Sequence, residues 1–361
     1  MVSFYPGPSQ LATNTRQYLV EIYDSGILSR NHRSSEFIKV IENMVALLKT
    51  KLQIPQDYSV FFISSATEAW EIIAQSLIKE QQTLHFFNGA FGEKWYKTTL
   101  QLTQQAIASP ILFKDASTDF YVAQAQSLPH NKHKELPILC LTHCETSNGT
   151  YIPTNILQTI RHHFADWLIA IDATSSLGGI HIDFESLDVC FASVQKCLGL
   201  PAGLGLMICS PKAIAQAEHI GHRQHYNSVL NLYEMAQKNQ TTHTPNMLAI
   251  CLLEKILLER SFINEIHQLL VDRHTSISNF LKQNHYTCLD IDIPSPTVVA
   301  VTGTPEWIKT MKQNALSEGI LLGNGYGNWK NTTFRIANFP SITNSQIDKL
   351  FSFLTLYSAK N

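Results

Sequence analysis

The sequence predicts an α/β protein, with a large domain built on a mainly parallel sheet and a smaller α+β domain at the C-terminal end. Short apolar segments alternate with longer stretches of helical periodicity, which is typical of parallel strands joined by helices. Hydrophobic residues make up 44% of the 361 residues and charged residues 16%, enough apolar material to bury such a sheet. After about residue 260 the pattern changes. We therefore expect an N-terminal arm at 1–20 that is part of the small domain or of the active-site entrance, a large domain at 21–255 and a small domain at 256–361.

Six apolar segments in the large domain have the length and composition of buried strands. They are Val60–Ile63, Leu84–Phe87, Ile138–Thr142, Leu168–Asp172, Val189–Ser193 and Leu206–Cys209. Four stretches with helical periodicity lie between or after them, at Thr67–Lys79, Glu93–Thr103, Asn155–Phe164 and Pro245–Glu259. The connections between the strands are long enough for the chain to cross over and begin the next parallel strand.

The C-terminal part predicts a second, smaller set of elements. A helix at Phe262–Asn284 precedes strand-like segments at Thr297–Val301 and Thr332–Ala337. A final helix begins near Thr343, where the residues Asn-Ser-Gln supply side chains typical of a helix N-terminus. This mixture of helices and strands favours a small α+β domain.

Charge and hydropathy argue against two classes of partner. The formal net charge is -2, the isoelectric point is about 6.7, and no basic block is present, so the sequence does not predict nucleic-acid binding. The apolar runs are far shorter than the roughly 20 residues that cross a bilayer, and the N-terminus lacks a signal-peptide pattern. We therefore expect a cytoplasmic protein that binds neither nucleic acid nor a membrane.

The cysteines and histidines do not predict a metal site. The seven cysteines lie mostly in apolar runs, which indicates buried thiols in a reducing compartment. Cys140 and Cys144, like the pieces RHHF and GHRQH, lack metal-site spacing. The segment GNGYGNW neither follows a clear strand nor opens a helix, so we interpret it as a mobile turn before Arg335 rather than a dinucleotide loop.

An acid and an amine are predicted to meet at one edge of the sheet. Asp172 ends the apolar strand in LIAIDATSS, and Lys196 follows the next strand, just before a loop rich in glycine and proline. Ligand sites of open α/β sheets lie at the carboxyl ends of strands. The pair suits pyridoxal phosphate (PLP), because an amine forms an imine with its aldehyde and a carboxylate keeps its ring nitrogen protonated. On spacing alone, a strand-end cap at Asp172 and a solvated Lys196 remain the alternative.

Three further segments carry candidate binding residues. In FFISSATEAWEII a strand runs into a helix, so backbone N–H groups with Ser65 and Thr67 form either an anion site or an ordinary helix cap. In NGAFGEKW, Phe91 and Trp95 are candidates for core packing. Arg335 lies in the apolar strand TTFRIANFP, where a buried guanidinium must be paired, and an internal salt bridge is the structural alternative.

The order of these motifs resembles that of the class V aminotransferases, PLP enzymes of fold type I. The resemblance covers nearly the whole chain. Its motifs are PGPSQL, NHRSSEF, SSATEAW, NGAFGEKW, HCETSNGT, IDATSS, SVQKCLGLPAGLG, HTPNMLAI and FRIANFP. Within the family, the Gln195-Lys196 pair followed by PAG is most similar to the phosphoserine aminotransferases. The resemblance implies a PLP-transferase fold of type I and a PLP-dependent transaminase.

The resemblance also implies a set of cofactor-binding residues. Lys196 carries PLP and Asp172 contacts its pyridine ring. The others are Ser65, Ala66 and Thr67 at the phosphate, Phe91 against the ring, Thr146 near the 3-hydroxyl, Gln195 beside the lysine, and His243 and Thr244. In the family, the segment with Thr244 reaches the cofactor phosphate of a neighbouring subunit, so a homodimer is expected. His243 stands where phosphoserine aminotransferases often carry Asn.

Substrate residues follow from the same resemblance. Arg335 matches the family's clamp for the substrate α-carboxylate. His32 and Arg33 match a pair that contacts the substrate phosphate or side-chain carboxylate, which favours transamination between phosphoserine and 2-oxoglutarate. Against this, Thr67 stands where many of those enzymes carry an arginine. An aminotransferase acting on alanine or serine with glyoxylate therefore remains the alternative.

Two other classes of function are weaker. A PLP lyase or cysteine desulfurase is possible on this fold, but a desulfurase needs a reactive cysteine on a mobile loop. The C-terminal part of the chain, after about residue 210, offers only Cys251 and Cys288, in helical or strand-edge surroundings. A relative that only binds a partner would be expected to lack Lys196 or Asp172, and both are present.

Overall fold

Two large sheets organise the molecule. The computed structural model describes residues 1–110 and 135–357. Numbered along these residues, the strands are β1 (Val2–Phe4), β2 (Ser59–Ile63), β3 (Thr83–Phe87), β4 (Ala106–Pro110), β5 (Ile138–Thr142), β6 (Cys144–Glu145), β7 (Thr150–Tyr151), β8 (Leu168–Asp172), β9 (Val189–Ser193), β10 (Gly205–Cys209), β11 (Thr287–Cys288), β12 (Val298–Thr302), β13 (Ile320–Asn324) and β14 (Thr333–Ala337). Strands β6 and β7 form a separate short hairpin.

Eleven α-helices lie within the described ranges. They are α1 (Thr15–Asp24), α2 (Ser35–Leu52), α3 (Ala66–Ser76), α4 (Ala90–Thr103), α5 (Thr154–His163), α6 (Pro211–Ile220), α7 (Val229–Ala236), α8 (Met247–Glu259), α9 (Ile263–Gln283), α10 (Pro305–Ser317) and α11 (Asn344–Leu356). In these residues no helix is long and apolar enough to span a bilayer.

The larger sheet has seven strands in the order β2-β10-β9-β8-β5-β3-β4. Only β10 runs antiparallel to its neighbours, so the carboxyl ends of the six other strands share one edge. Strands β8, β9 and β10 are buried at every position. The sequences of such strands are continuous apolar runs because helices cover both faces of the sheet. Helices α2, α5 and α8 pack on one face and α3, α6 and α7 on the other.

The smaller sheet joins the two ends of the chain. Its order is β1-β13-β14-β12-β11, and β1 pairs in parallel with β13. Apolar side chains of α9, α10 and α11 cover this sheet, and Phe4 from the N-terminal strand lies fully buried among them. The N-terminal segment therefore packs with the C-terminal elements before the chain enters the larger sheet.

The structure confirms the α/β prediction and most of the predicted elements. The six predicted strands of the large domain agree with β2, β3, β5, β8, β9 and β10 within about one residue. The final helix is capped by Thr343, with Gln346 completing a capping box. The interpretation that GNGYGNW follows no strand was wrong, since its first two residues end β13 and the segment then includes a short 3-10 turn. The sequence does not predict β13, because ILLGN is short and contains a glycine.

Candidate active site

A cavity of about 410 Å³ lies at the carboxyl edge of the larger sheet. Residues from both sheets and from the N-terminal segment line it. They are Tyr5, Pro6, Gly7, Pro8, Ala66, Thr67, Trp70, Phe91, Lys94, Thr142, Cys144, Thr146, Asp172, Thr174, Ser175, Ser193, Gln195, Lys196, Tyr326 and Arg335. The topology thus brings residues that are distant in sequence into one concave site, as expected for an open α/β sheet.

Lys196 is buried in the cavity, just beyond the end of β9. Its Nζ donates hydrogen bonds to Thr146 Oγ1 at 2.8 Å and to Ser175 Oγ at 2.9 Å. Burial lowers the pKa of Lys196 to about 8, while the negative charges of Asp172 and Glu145 oppose this shift. Near neutral pH the amine is therefore neutral far more often than an exposed lysine, which makes it a better nucleophile and proton acceptor.

The loop that carries Lys196 is held from two sides. Ser9 Oγ donates to the carbonyl oxygen of Lys196 at 3.0 Å, and the N–H of Ser9 donates to the carbonyl of Gln195 at 2.9 Å. On the other side, Arg260 Nη2 donates to the carbonyl of Cys197 at 2.8 Å. These contacts fix the main chain on both sides of the lysine, so the direction of its side chain is set by the N-terminal segment and the end of α8.

Asp172 is the last residue of β8 and is also buried. Its Oδ1 accepts a hydrogen bond from the N–H of Thr174 at 2.9 Å. Burial raises the pKa of Asp172, and the hydrogen bonds of Thr174 and the charge of Lys196 oppose that rise. A cationic or N–H-bearing ligand beside this carboxylate would favour its ionised form for the same reason.

The first turn of α3 forms the wall of the cavity next to β2. Ser65 is the N-cap residue and accepts a hydrogen bond from the N–H of Glu68 at 3.1 Å, whereas Ala66 donates its N–H to Ser193 Oγ at 2.7 Å. A side chain at Gly205 would bring its Cβ within 2.9 Å of the Ser65 main chain. Ala66 and Thr67 line the cavity, so the positive end of the α3 dipole faces it.

Phe91 lies on the opposite wall, at the start of α4. The centroid of its ring is 5.1 Å from Lys196 Nζ, and the ring stacks on Tyr326 with centroids 5.0 Å apart. Glu145 Oε2 accepts hydrogen bonds from the N–H groups of Phe91 and Gly92 at 3.1 and 3.2 Å. Trp95 is almost completely buried, which confirms its interpretation as a core residue.

Arg335 points from β14 into the cavity. Its Nε donates to the carbonyl of Asn324 and its Nη1 to the carbonyl of Thr146, both at 2.6 Å. Within residues 1–110 and 135–357, no carboxylate lies within 4.0 Å of the guanidinium, so the alternative of an internal salt bridge was wrong for the described chain. Two of its five N–H donors are used by the main chain, and the others remain for an anion.

Four predicted site residues lie together outside this cavity. His32 Nδ1 is 3.4 Å from Thr244 Oγ1, and the nearby charges of Arg33 and His243 add to burial in lowering the pKa of His32. Arg33 and Thr244 are exposed. None of the four lines the cavity of its own chain, and neither does Ser65.

A family model described as Aminotransferase class-V matches residues 6–276, three quarters of the chain. The chain belongs to the class V aminotransferase family. This confirms the resemblance drawn from the motifs, and the enzymes of the family are PLP-dependent transaminases.

Relatives of this class V aminotransferase include several phosphoserine aminotransferases. The enzyme of Rhodococcus jostii is 28% identical over 253 residues, 68% of this chain but only 64% of the relative. The enzyme of Corynebacterium glutamicum is 25% identical over 95% of this chain and 91% of its own length. A crystal structure of a phosphoserine aminotransferase from Cytophaga hutchinsonii is 31% identical, covers 99% of both chains and has a TM-score of 0.90.

Another solved structure shares the fold alone. An alanine–glyoxylate aminotransferase from Nostoc sp. superposes with a TM-score of 0.83 over 98% of this chain and 94% of its own, at 18% identity. The described residues therefore have the PLP-transferase fold expected for the family, and the solved enzymes that share it are named for different substrates.

The cavity of this class V aminotransferase suits a polar cofactor such as PLP. Among the described residues, several buried polar atoms that line it have no hydrogen-bond partner, including Thr142 Oγ1 and Gln195 Oε1. Buried polar groups are rarely left unpaired, so these atoms indicate a ligand with several donors and acceptors. The residues present thus fit the cofactor of the family.

Sequence reasoning missed several residues of the site. Ser175, Glu145, Tyr326 and Lys94 contact or surround the residues that it named. Ser175 and Glu145 occur in the quoted motifs IDATSS and HCETSNGT, so a signal was available for them. Tyr326 reaches the site only through the packing of the smaller sheet against α4, which no local pattern reveals.

Proposed function

We propose that this chain is a PLP-dependent aminotransferase whose preferred amino donor carries a second anionic group, with phosphoserine and 2-oxoglutarate as the favoured pair. The observation that carries the proposal is the presence of Lys196, Asp172 and Arg335 in one cavity. A reactive amine, a buried acid and a guanidinium without a carboxylate partner in the described chain are the groups that transamination of an amino acid requires.

In this proposal the cofactor lies between α3 and α4. The first-turn N–H groups at Ala66 and Thr67 would hold its phosphate, with Ser65 capping the helix. Asp172 would bond to the ring nitrogen and Phe91 would pack against the ring, a contact worth about 1 kcal/mol beyond burial. Thr146 and Gln195 would contact the polar substituents. Bound PLP supplies an electron-accepting ring that stabilises negative charge at the substrate Cα.

Lys196 has two roles in the proposed reaction. Its amine holds the cofactor before substrate arrives, and once released it accepts the proton of the substrate Cα as a general base. The lowered pKa of Lys196 suits this task because a base works best when its pKa lies near the working pH. The hydroxyls of Thr146 and Ser175 orient Nζ, and burial keeps water from competing for the proton.

Arg335 positions the amino acid. Two main-chain carbonyls fix the guanidinium, so its free N–H donors can bind the substrate α-carboxylate in a bidentate manner without losing much freedom. Fixing the carboxylate orients the Cα–H bond toward Lys196, and such positioning is a large part of catalysis.

The second anionic group is proposed to meet residues of a partner subunit. His32 and Arg33 do not line the cavity of their own chain, and Thr244 lies beside His32. In a homodimer these side chains would enter the neighbouring active site, where the partner subunit's His32 and Arg33 supply positive charge and the partner's His243 and Thr244 face the cofactor phosphate. Support for phosphoserine also comes from the similarity to a solved phosphoserine aminotransferase over 99% of the chain.

A second candidate is transamination of alanine or serine with glyoxylate. Thr67 favours it, because a neutral side chain there supplies no contact to a distal anion. A desulfurase is less well supported. Cys144 lines the cavity, but burial raises its pKa to about 12, and burial raises the pKa of Cys251 and Cys288 to about 11. These three groups remain thiols, which are poor nucleophiles.

A half-reaction screen tests the proposed substrate. The visible absorbance of the PLP-loaded protein is followed as each amino acid converts the cofactor to its amine form. We expect phosphoserine and glutamate to react with the highest specificity constants. Replacing Arg33 by Ala removes a charge-assisted contact of roughly 1.5–3 kcal/mol, so the constant for phosphoserine should fall by about one to two orders of magnitude. The constant for alanine should change little.

Two variants act as controls for the screen. Arg30 is an exposed arginine near Arg33 that pairs with Glu36. Arg30→Ala should therefore leave the specificity constants for all amino donors unchanged. Arg335→Lys should lower the specificity constant for every amino donor, since all of them carry the α-carboxylate that Arg335 is proposed to bind. Fast reaction of alanine or serine, with phosphoserine inert and Arg33→Ala silent, would move the assignment to the glyoxylate-type enzymes.

A further inference from the structure

Lys94 lies at the mouth of the cavity and has no role in the chemistry described above. It is on α4, one turn after Phe91, so both side chains lie on the same face of the helix. Its Nζ donates a hydrogen bond of 2.5 Å to the hydroxyl of Tyr326 and is 5.7 Å from the centroid of the Phe91 ring. Lys94 is therefore directed toward the wall of the cavity against which the cofactor is proposed to pack.

The positive charge of Lys94 is not neutralised by the described part of the protein. No carboxylate in residues 1–110 or 135–357 lies within 4.0 Å of its Nζ. By contrast, Lys97 on the same helix pairs with Glu93 at 2.6 Å. An ammonium group has three donors, and the Tyr326 hydroxyl occupies only one. Lys94 can thus bind an anion without breaking an ion pair in the described residues.

Tyr326 lies close to both Lys94 and Arg335. The Tyr326 ring centroid is 5.0 Å from Lys94 Nζ and 5.7 Å from Arg335 Cζ. These two distances limit the separation of the cations to about 11 Å. Two charge-assisted contacts of about 2.8 Å, one at each end, leave at most about 5 Å between the anionic groups of a bound molecule. A short amino acid with an acidic side chain fills such a gap, and alanine does not.

Burial differs at the two ends of this gap. Arg335 is 4% exposed and is fixed by two carbonyls, whereas Lys94 is exposed at the entrance. The α-carboxylate therefore fits the inner cation, and a bulky, well-hydrated group such as a phosphate or a second carboxylate fits the outer one. The neutral side chain at Thr67 offers no cation to the site, whereas Lys94 offers one from the same chain.

We infer that Lys94, oriented by the hydroxyl of Tyr326, binds the phosphate or side-chain carboxylate of the amino donor and so determines specificity for anionic substrates. This inference rests on the proposed function and adds a cation from the catalytic subunit itself to those expected from the partner. Lys94 is a specificity residue here, and proton transfer remains with Lys196.

The first test measures binding without turnover. Glutarate has two carboxylates and no amine, and pentanoate has the same carbon chain with one carboxylate. Calorimetric titration of the PLP-loaded protein should show that Lys94→Met lowers the affinity for glutarate about tenfold and leaves pentanoate binding within about twofold. Lys97→Met changes the net charge of the same helix equally and should alter neither affinity. If Lys94→Met lowers the affinity for both ligands equally, or for neither, the inference is overturned.

The second test uses the half-reaction with amino acids. In Lys94→Met the specificity constant for phosphoserine should fall about ten- to a hundredfold while that for alanine stays within about twofold, and Lys94→Arg should keep most of the phosphoserine activity. Tyr326→Phe retains the charge and should cost less than Lys94→Met. A parallel loss for alanine and phosphoserine would show that Lys94 only supports Tyr326 and would refute the inference. If the wild type reacts with no amino acid, the proposed function fails, and the glutarate titration still decides the role of Lys94.

Discussion

Burial shifts the pKa values of Lys196 and Asp172 in opposite directions. Each group loses hydration in the cavity, so the neutral form of each is favoured, and the charge of each partly restores the ionised form of the other. The ionisation of each side chain therefore affects the pKa of the other. For Lys196 the result is a pKa of about 8 in place of 10.5, which places its change of charge close to physiological pH.

The pH dependence of cofactor uptake should reveal this pair. Only the neutral amine of Lys196 is nucleophilic, so uptake of PLP by the cofactor-free protein should accelerate as pH rises through about 8. Because the charge of Asp172 raises the pKa of Lys196, Asp172→Asn should move this midpoint to lower pH. Visible absorbance gives the rate, normalised to the plateau of each variant.

An exposed carboxylate provides the control for this experiment. Asp24 lies at the exposed end of α1, and Asp24→Asn should leave the midpoint unchanged. A wild-type midpoint near 10.5, or a midpoint that rises in Asp172→Asn, would contradict the electrostatic account of Lys196.

Among the secondary-structure elements, α4 depends on a carboxylate from a different part of the chain. Glu145 of β6 accepts four hydrogen bonds, from the N–H groups of Phe91 and Gly92 and from the N–H and hydroxyl of Ser147. A side chain at Gly89 would place its Cβ 2.2 Å from Glu145 Cγ, so this close approach requires glycine. The acidic cap fixes the start of α4, and with it the ring of Phe91.

Replacing Glu145 by Gln should weaken both stability and cofactor binding. The amide group offers one oxygen in place of two, so some of the four N–H and O–H donors lose their acceptor at a buried site. We expect the free energy of unfolding to fall by about 1–3 kcal/mol, measured by urea titration. The affinity for PLP should also fall, since the start of α4 is no longer fixed. Glu93→Gln, on the exposed first turn of α4, should change neither quantity by more than about 0.5 kcal/mol. An unchanged urea midpoint in Glu145→Gln would refute this role.

The sequence predicted elements whose signal is local. Buried strands such as β8 and β9 are continuous apolar runs, and their position also predicted that Asp172 and Lys196 would meet. Strand β4 was missed because its residues are small and it ends in proline at the edge of the sheet. The pairing of β1 with β13 was missed because it joins residues more than 300 positions apart, and no local pattern encodes such a contact.

At the scale of the whole molecule, the two sheets meet at the active site. The N-terminal segment leaves β1, lines the cavity at Tyr5–Pro8, and bonds to the lysine loop through Ser9. We propose that residues 1–20 form an arm between a large domain at 21–255 and a small domain at 256–361. In that arrangement, a movement of the smaller sheet would change the distances of Arg335 and Tyr326 from Lys196.

Mixed dimers test whether two chains share each site. In the proposed homodimer, Arg33 serves the partner subunit's site, whereas Lys196 serves its own. A dimer of one Lys196→Ala chain and one Arg33→Ala chain then has one site with both changes and one with neither. We expect about half of the wild-type activity toward phosphoserine, measured with doubly tagged dimers. Activity no higher than that of the Arg33→Ala homodimer would argue against shared sites.

The central claim is that Lys196 of this chain is the residue that carries PLP. Its most direct test is borohydride treatment of the PLP-loaded protein, followed by proteolysis and mass spectrometry. The account predicts that the mass of the reduced cofactor is found on the peptide with Lys196, and that Lys196→Ala holds PLP without any covalent adduct. A protein that stays colourless after incubation with PLP, or an adduct on another lysine with Lys196 unmodified, would contradict it.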